Sequence, residues 1–131
     1  MKYISLKSSR RDEMIDFSNE VQRLIVASDF KDGAVLLLCP HTTAGLTLNE
    51  GTDPAVKKDL IDCLSEVVPW DRIYGHAEGN SPAHVKASLM GASLMIPVEE
   101  GRLVLGQWQR LFFAEFDGPR DRTIYVKFIG A

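Results

Sequence analysis

The sequence has few of the features that reveal the class of a small protein directly. Only two of its 131 residues are cysteine, Cys39 and Cys63, and their spacing matches neither a metal motif nor a redox motif. We therefore expect both thiols to be reduced and buried. No apolar run approaches the length of a membrane span, and the N-terminal segment lacks the apolar core of a signal peptide. These absences favour a cytoplasmic protein with no membrane partner.

The sequence also lacks a large excess of either positive or negative charge. Fifteen Lys and Arg residues stand against 18 Asp and Glu, a net charge of -3, which gives no electrostatic reason to bind nucleic acid. The chain contains no internal repeat, low-complexity segment or nucleotide-binding glycine loop. A hydrophobic content of 45% and a charged content of 25% are ordinary for a globular protein, so we expect one domain over residues 1–131.

Three stretches carry helix signals. Apolar residues at three-four spacing predict a helix over 12–28. A capping residue before Pro54 predicts a second helix, which runs to about residue 68 because Pro69 follows. The Ser-Pro pair at the start of 81–90 predicts a shorter helix that closes at Gly91.

The strand signals favour an α+β fold. Strands are expected at 2–7, 34–39, 46–49, 93–98, from 103 to the turn at Asp117, and at 123–129. Short connections predict two hairpins, one joining 34–39 to 46–49 and one joining the strand from 103 to 123–129. The expected architecture is a mostly antiparallel β-sandwich with two longer helices and one short helix.

The stretch that begins at Leu103 is apolar on both faces, so it should be covered on both sides. Its face pattern places Trp108 in the core. It also carries Gln107, Gln109 and Glu115, polar groups that require partners when buried.

The three histidines, His41, His76 and His84, lie in predicted loops or just inside a helix start. Three neutral imidazoles around one ion would leave an open coordination position, as in hydrolytic zinc sites. Glu50, Glu78, Asn80, Gln107 and Gln109 are candidate supporting or oxygen ligands. Spacing alone favours the alternative of three unrelated surface or capping histidines.

The remaining candidates each have a structural alternative. Arg120 and Arg122 suit phosphate or carboxylate binding, but they can equally pair with Asp117, Asp121 or Glu115. Thr42 and Thr43 can cap the end of a strand. Asn49 and Glu50 can form a turn with a carboxylate at a helix start. For each of these residues, the sequence is compatible with both a functional and a structural role.

Three segments, HTTAGLTLNE, HAEGNSPAHVKASLMG and LVLGQWQRLFFAEFDGPRDR, occur in this order and together resemble the YjbQ family, whose members are often named secondary thiamine-phosphate synthases. The resemblance extends over essentially the whole chain. It implies a compact α+β domain with a β-sandwich core, a homotrimer, and convergence of His41, His76 and His84 on a divalent metal, with zinc favoured and magnesium possible.

The resemblance also implies roles for individual residues. The catalytic candidates are Glu50, Glu78 and Arg120. The candidates for binding a small phosphorylated substrate are Thr42, Thr43, Asn49, Asn80, Gln107, Gln109, Arg120 and Arg122. Gln107 stands where the family pattern has threonine, so substrate fit is expected to differ there.

The family name implies that hydroxymethylpyrimidine diphosphate is joined to a thiazole phosphate with loss of pyrophosphate. A cation and Arg120 would stabilise the departing pyrophosphate. A three-histidine site suits zinc better than the magnesium usual for diphosphates. We therefore retain two alternatives: a metal-dependent hydrolase of a small phosphorylated or carbonyl metabolite, and a non-catalytic trimeric protein that binds a metal or small molecule.

Overall fold

The structure, a computed structural model, describes residues 1–130. Within these residues the chain forms eight strands and three helices: β1 (Lys2–Lys7), β2 (Glu13–Asp16), α1 (Ser18–Ala27), β3 (Gly33–Leu38), β4 (Ala44–Glu50), α2 (Pro54–Val67), α3 (Ser81–Met90), β5 (Ser93–Glu99), β6 (Arg102–Leu103), β7 (Gln109–Glu115) and β8 (Asp121–Gly130). The predicted α+β class is confirmed. No helix in the described range combines the length and the apolar character needed to cross a bilayer.

The strands form two sheets. The larger sheet has the order β1-β8-β3-β5-β6 and the smaller the order β2-β7-β4, with antiparallel pairing between all neighbours. One apolar cluster contains residues of both sheets and of α1, among them Val35, Leu46 and Val21. A second cluster joins the smaller sheet to α2 and α3. The expected antiparallel sandwich is therefore present, with helices covering one outer face.

β7 lies at the centre of the smaller sheet and confirms the expectation of cover on both sides. Leu111 and Phe113 belong to the cluster shared by the two sheets, whereas Phe112 and Ala114 belong to the cluster beneath α2 and α3. All four side chains are buried. This two-sided burial explains the apolar character of alternate positions on both faces.

The prediction of a single long strand from Leu103 to the turn at Asp117 is wrong. β6 pairs with β5 in the larger sheet, whereas β7 pairs with β2 and β4 in the smaller one. The chain must therefore leave one sheet and cross to the other over residues 104–108. Trp108 lies on this crossing and is 56% exposed, so its predicted place in the core is also wrong.

Both predicted hairpins are wrong for the same reason. β4 pairs with β7 and not with β3, because the chain crosses between sheets after Pro40. β8 pairs with β1 and β3 and not with β7, because the Asp-Gly-Pro-Arg turn also joins the two sheets. These two short connections form sandwich corners, whereas the two-residue connection between β5 and β6 forms a hairpin.

The helix predictions hold for α2 and α3. Asp53 caps α2, since its Oδ1 accepts from the amide of Ala55 at 2.9 Å. The first helix is shorter than predicted because 13–16 form β2, whose pairing with β7 satisfies the backbone there. α1 and α3 have 10 residues each and α2 has 14, so only one helix is longer than the others.

The two cysteines differ in burial. Both are free, as expected, and Cys39 at the end of β3 is buried. Cys63 is exposed, so the expectation of burial is wrong for this residue. The reason is that α2 lies on the surface and packs only partly buried side chains, such as Leu60 and Leu64, against the second cluster.

Gly45 allows α3 to pack closely against β4. A Cβ at this position would lie 2.6 Å from the carbonyl oxygen of Gly91, so Gly45→Ala is expected to lower the free energy of unfolding by about 1–3 kcal/mol. Gly75→Ala is the matched control, because a Cβ there meets nothing within 4 Å. Urea denaturation measures both, and equal stability of the two variants would contradict close packing at Gly45.

Candidate functional site

An open cleft lies where β3, β4, α3 and the turn before β8 meet. We call it the histidine cleft, and it has a polar part of about 340 Å³ and an adjoining part of about 540 Å³ that shares His41, Thr42 and His84. Eight predicted site residues line its polar part: His41, Thr42, Thr43, Glu78, Asn80, His84, Arg120 and Arg122. Small residues, including Ala44 and Ala87, line the adjoining part.

His41 follows the end of β3 and continues the contact with β8. The Thr123 amide donates to His41 Nε2 at 3.0 Å, and the Thr123 carbonyl oxygen lies 3.2 Å from the same nitrogen. Burial, assisted by the positive charge of Arg122, lowers the pKa of His41. These effects favour the neutral imidazole, whose tautomer depends on which Thr123 group it uses.

His76 and His84 form an imidazole pair on the other side of the cleft. Their ring centroids lie 5.3 Å apart with the rings nearly perpendicular, and His76 Nε2 lies 3.7 Å from Glu78 Oε2. The one-turn spacing of Asn80 and His84 at the start of α3 brings both residues to the cleft.

Lys86 anchors the helix that carries His84. Its side chain is fully buried, and its ammonium group donates to Asp12 Oδ1 at 3.0 Å and to Ser65 Oγ at 3.1 Å. Sequence reasoning missed this residue because a lysine in a helix is usually solvated. Its effect is to tie α3 to α2 and to the segment before β2.

Asp117 connects Asn80 and Arg120 in the polar part of the histidine cleft. Its Oδ2 accepts from Asn80 Nδ2 at 2.9 Å and from Arg120 Nη2 at 3.0 Å, and its carbonyl oxygen accepts from Arg120 Nε at 2.8 Å. The ion pair proposed for Arg120 from the sequence is therefore present. Arg120 remains half exposed, so part of its guanidinium is available to a ligand.

Arg122 is buried in a charged network beneath the cleft. It donates through Nε to Glu115 Oε1 at 2.8 Å, through Nη2 to Glu115 Oε2, and through Nη2 to Thr43 Oγ1 at 2.8 Å. Ser8 Oγ donates to Glu115 Oε1 at 2.6 Å. The structural alternative for Arg122, an ion pair with Glu115, is thus observed, and the guanidinium positions Thr43.

Glu115 is the most informative residue of the site that the sequence did not predict. Burial alone would raise the pKa of its carboxyl group, but hydrogen bonds from Arg122, Ser8 and the Asp117 amide lower the pKa below its ordinary value. The signal was visible in the sequence as a carboxylate on an apolar strand. Its partners were not visible, because Ser8 and Arg122 are brought to it by the fold.

Four predicted site residues lie elsewhere in the chain: Asn49, Glu50, Gln107 and Gln109. In the β4–β7 pairing, Ala44 faces Glu115 near the cleft, whereas Glu50 faces Gln109 at the other end. Seven strand residues span about 20 Å. The expectation that the two glutamines join the histidines is therefore not met within one chain, because β7 starts at the far end of the sheet.

Local contacts occupy the side chains at this far end. Gln109 Oε1 accepts from the Gly106 amide at 2.7 Å, and Glu50 Oε2 accepts from the Thr52 amide at 2.6 Å. Asn49 Oδ1 accepts from the Glu50 amide at 2.7 Å. These contacts match the turn alternative for Asn49 and Glu50, and the proposed catalytic and binding roles stay predictions.

The donor types in the histidine cleft fit a divalent ion of the zinc class. Imidazole and carboxylate groups are zinc ligands, and His41, Glu78 and His84 line one cleft with His76 beside His84. Among residues 1–130, no three His, Cys, Asp or Glu side chains are already arranged as a ligand set. Binding would therefore require rotation of side chains, for which the partly exposed His76 and the largely exposed Glu78 have room.

Comparison with known proteins identifies the family. The family model for YjbQ, described as UPF0047 protein YjbQ-like, matches residues 2–131. The chain belongs to the YjbQ family. The UPF0047 protein YugU of Bacillus subtilis is 50% identical over 131 residues, which cover 99% of each chain. The UPF0047 protein MJ1081 of Methanocaldococcus jannaschii is 48% identical over 95% of this chain and 91% of that protein.

Solved structures of YjbQ-family proteins have the same fold. An uncharacterized conserved protein of the family from Clostridium acetobutylicum superposes with a TM-score of 0.96 at 50% identity, covering 98% of this chain and 100% of that chain. A YbjQ-like protein of unknown function from Sulfolobus solfataricus superposes with a TM-score of 0.94 at 32% identity, covering 99% and 96%. These similarities establish the family and the fold of the chain.

Proposed function

We propose that this YjbQ-family protein is a metal-dependent enzyme that acts on a phosphorylated small molecule in the histidine cleft. The observation that best supports this proposal is that His41, His84, Glu78 and Arg120 line one open polar cleft. Metal-binding groups, a candidate proton acceptor and a cation for phosphate are the components that such a reaction requires.

The side chains of the cleft suggest a division of roles. Arg120, fixed at one edge by Asp117, presents its remaining N–H groups to phosphate oxygens. Thr42 is exposed, whereas hydrogen bonds hold its neighbours His41 and Thr43. Its hydroxyl group would therefore be offered to the substrate. Glu78 orients a substrate group or accepts a proton. The three histidines would hold a divalent ion, which supplies stabilisation of negative charge on the leaving phosphate.

Zinc is the preferred ion for this proposal. The cleft offers three imidazoles, which suit zinc and other transition metals, whereas magnesium prefers oxygen ligands. We expect purified protein to retain zinc and His41→Ala to lose most of it, as measured by elemental analysis after extensive dialysis. Unchanged zinc in His41→Ala would contradict a shared histidine site.

The first reaction to test is the condensation that the family resemblance suggests. In this reaction the bond between the pyrimidine methylene carbon and the diphosphate oxygen breaks. A bond from that carbon to the thiazole nitrogen forms, and pyrophosphate leaves. Zinc-loaded protein with both precursors should yield thiamine phosphate and pyrophosphate in equal amounts, and His84→Ala should yield neither. Absence of both products from the unaltered protein would reject this reaction.

Hydrolysis of a small phosphorylated or carbonyl metabolite is the second candidate. It is favoured by the imidazole-rich donor set, because zinc readily supplies a nucleophilic water in such sites. The assay replaces the two precursors with a panel of phosphate esters and measures released phosphate. Release from esters without condensation would select this candidate, whereas ligand binding without turnover in either assay would select a non-catalytic binding protein.

We also propose the homotrimer that the resemblance suggests. Several large apolar side chains are exposed on the single chain, among them Tyr3, Met95 and Trp108. Burial of such side chains between copies would be favourable, and a trimer would allow Gln107 and Glu50 of one copy to reach the histidine cleft of another. Light scattering coupled to size-exclusion chromatography should give three times the 14.6 kDa chain mass. A monomer mass would reject the trimer.

A further inference from the structure

Ser8, the residue that follows β1, contacts the backbone of Arg120 on both sides. The Ser8 amide donates to the Arg120 carbonyl oxygen at 3.0 Å, and the Arg120 amide donates to Ser8 Oγ at 2.9 Å. The single hydroxyl proton of Ser8 goes to Glu115 Oε1, which lies 2.6 Å from Oγ, whereas the Arg120 carbonyl oxygen lies farther away at 3.3 Å. Ser8 Oγ therefore accepts from Arg120 and donates to Glu115 at the same time.

The turn that carries Arg120 rests directly on the segment 8–11. A Cβ at Gly118 would collide with the Arg10 carbonyl oxygen and would lie 2.6 Å from Ser8 Oγ, so the two stretches of backbone are in contact. The Gly118 amide also donates to the Arg11 carbonyl oxygen at 3.1 Å. Ser8 is 2% exposed and lines neither part of the histidine cleft, so it can affect a ligand only through the residues that it holds.

The side chain of Arg120 depends on the position of its own peptide. Its Nε donates to the Asp117 carbonyl oxygen at 2.8 Å, and its Nη2 donates to Asp117 Oδ2 at 3.0 Å. The Arg120 side chain is 53% exposed, so this ion pair is weak by itself. Both bonds require a fixed distance between the peptides of Asp117 and Arg120, and the contacts with Ser8 fix that distance.

We infer that Ser8 is a positioning residue, which directs the Arg120 guanidinium into the histidine cleft by holding the Arg120 peptide. Loss of the Ser8 hydroxyl group leaves the Arg120 amide without its acceptor and removes one hydrogen-bond donor from Glu115. The turn then shifts, and the planar fork that Arg120 presents to phosphate loses its fixed orientation. The role in phosphate binding rests on the proposed function, whereas the orientation of Arg120 does not.

A measurement on the Arg120 side chain tests the inference without any ligand. Nuclear magnetic resonance of ¹⁵N-labelled protein at mildly acidic pH gives the rate at which the Arg120 Nε proton exchanges with water, and this signal is identified by its loss in Arg120→Ala. We expect Ser8→Ala to raise the exchange rate about tenfold, because the bond to the Asp117 carbonyl oxygen is no longer maintained. Ser8→Cys fills nearly the same space with a poor hydrogen-bonding group and should raise the rate as well, so the result does not depend on the stability of the alanine variant.

The affinity for inorganic phosphate, determined by isothermal titration calorimetry at equal metal content, tests whether Ser8 acts through Arg120. Ser8→Ala should weaken phosphate binding about tenfold. The double variant with Arg120→Ala should bind phosphate no more weakly than Arg120→Ala alone, because the guanidinium that Ser8 positions is then absent. A general structural role of Ser8 would instead weaken binding by the same factor with and without Arg120.

Ser18→Ala is the matched control. Ser18 is also a buried serine, 3% exposed, and its Oγ accepts from the Leu111 amide at 2.7 Å, but it lines neither part of the histidine cleft. It should change neither the exchange rate of the Arg120 Nε proton nor the phosphate affinity. An unchanged exchange rate in the Ser8 variants overturns the inference, as does a loss of phosphate affinity that Ser8→Ala adds in full to that of Arg120→Ala. Faster exchange in a protein that binds no phosphate supports the inference and contradicts the proposed function.

Discussion

Glu115→Ala is expected to lower the free energy of unfolding by about 3–5 kcal/mol, because it leaves the guanidinium of Arg122 buried without its carboxylate. Glu115 is 0% exposed and Arg122 is 6% exposed, so water does not replace the lost partner. Urea denaturation followed by tryptophan fluorescence measures the change. A loss below about 1 kcal/mol, the size of a surface pair, would contradict this role.

Two further variants make the Glu115 experiment specific. Asp121→Ala removes the carboxylate of an exposed pair with Lys7, whose atoms lie 3.9 Å apart, and should change stability by no more than about 0.5 kcal/mol. The double variant Glu115→Leu with Arg122→Met removes both buried charges. It should recover most of the stability, because neither charge is then left unpaired.

The same carboxylate predicts a dependence of stability on pH. The folded protein lowers the pKa of Glu115 below its ordinary value of 4.5, so the folded state binds this proton more weakly than the unfolded state. The stabilisation is complete above the ordinary pKa and is lost as the pH falls from there through the lowered pKa. The difference in stability between the unaltered protein and Glu115→Ala should shrink in acid, and a constant difference would contradict the assignment.

Arg120→Ala is expected to lower kcat/KM for a phosphorylated substrate by about 10²–10³-fold, if the histidine cleft acts as proposed. The loss follows because Arg120, in the polar part of the histidine cleft, is half exposed and can bind phosphate. Arg122 cannot replace it, since its guanidinium is bound to Glu115 and Thr43. Arg120→Lys should restore only part of the activity, since lysine cannot bind phosphate and Asp117 with one planar fork.

Arg23→Ala is the matched control for Arg120. Arg23 is also an exposed arginine in an ion pair with a carboxylate three residues away, since its Nη2 donates to Glu20 Oε1 at 3.1 Å, but it lies on α1 and lines neither part of the histidine cleft. Its removal should leave kcat/KM within a few-fold of the unaltered value. Equal losses in the two variants would indicate a general effect of removing an arginine ion pair and would contradict a phosphate-binding role for Arg120.

Local signals were sufficient to predict the helices and strands whose determinants are neighbours in sequence. The Asp-Pro start of α2 and the Ser-Pro start of α3 specify helix geometry within one turn, and both helices begin where predicted. β1 is likewise found at the predicted Lys2–Lys7. These elements need no knowledge of distant partners.

Elements that depend on distant partners could not be predicted in this way. Met14 and Phe17 fit the spacing of a helix. However, Met14 lies in β2, where it pairs with Ala114 of β7, and Phe17 lies between β2 and α1. Nothing near residue 108 indicates that β6 and β7 belong to different sheets. A short turn joins strands within a sheet or between sheets, and only the three-dimensional packing distinguishes these cases.

The parts of the site that are built from residues close in sequence could be predicted, whereas the parts built from distant residues could not. The HxEGNxxxH segment brings Glu78, Asn80 and His84 together by loop and helix spacing alone. The contacts of His41 with Thr123 and of Glu115 with Ser8 join residues that are 82 and 107 positions apart, and they left no mark in the sequence beyond polar residues in apolar surroundings. Those contacts determine which nitrogen and which arginine remain available to a ligand.

The position of β8 also decides when, during synthesis, the fold can form. β8 lies between β1 and β3, with Ile4 paired to Ile124, and within residues 1–130 it follows the other seven strands. Until β8 has left the ribosome, β1 and β3 have open edges, and apolar side chains such as Val35 are accessible to chaperones and proteases. The larger sheet, and with it the support of His41, is therefore completed only after translation of β8.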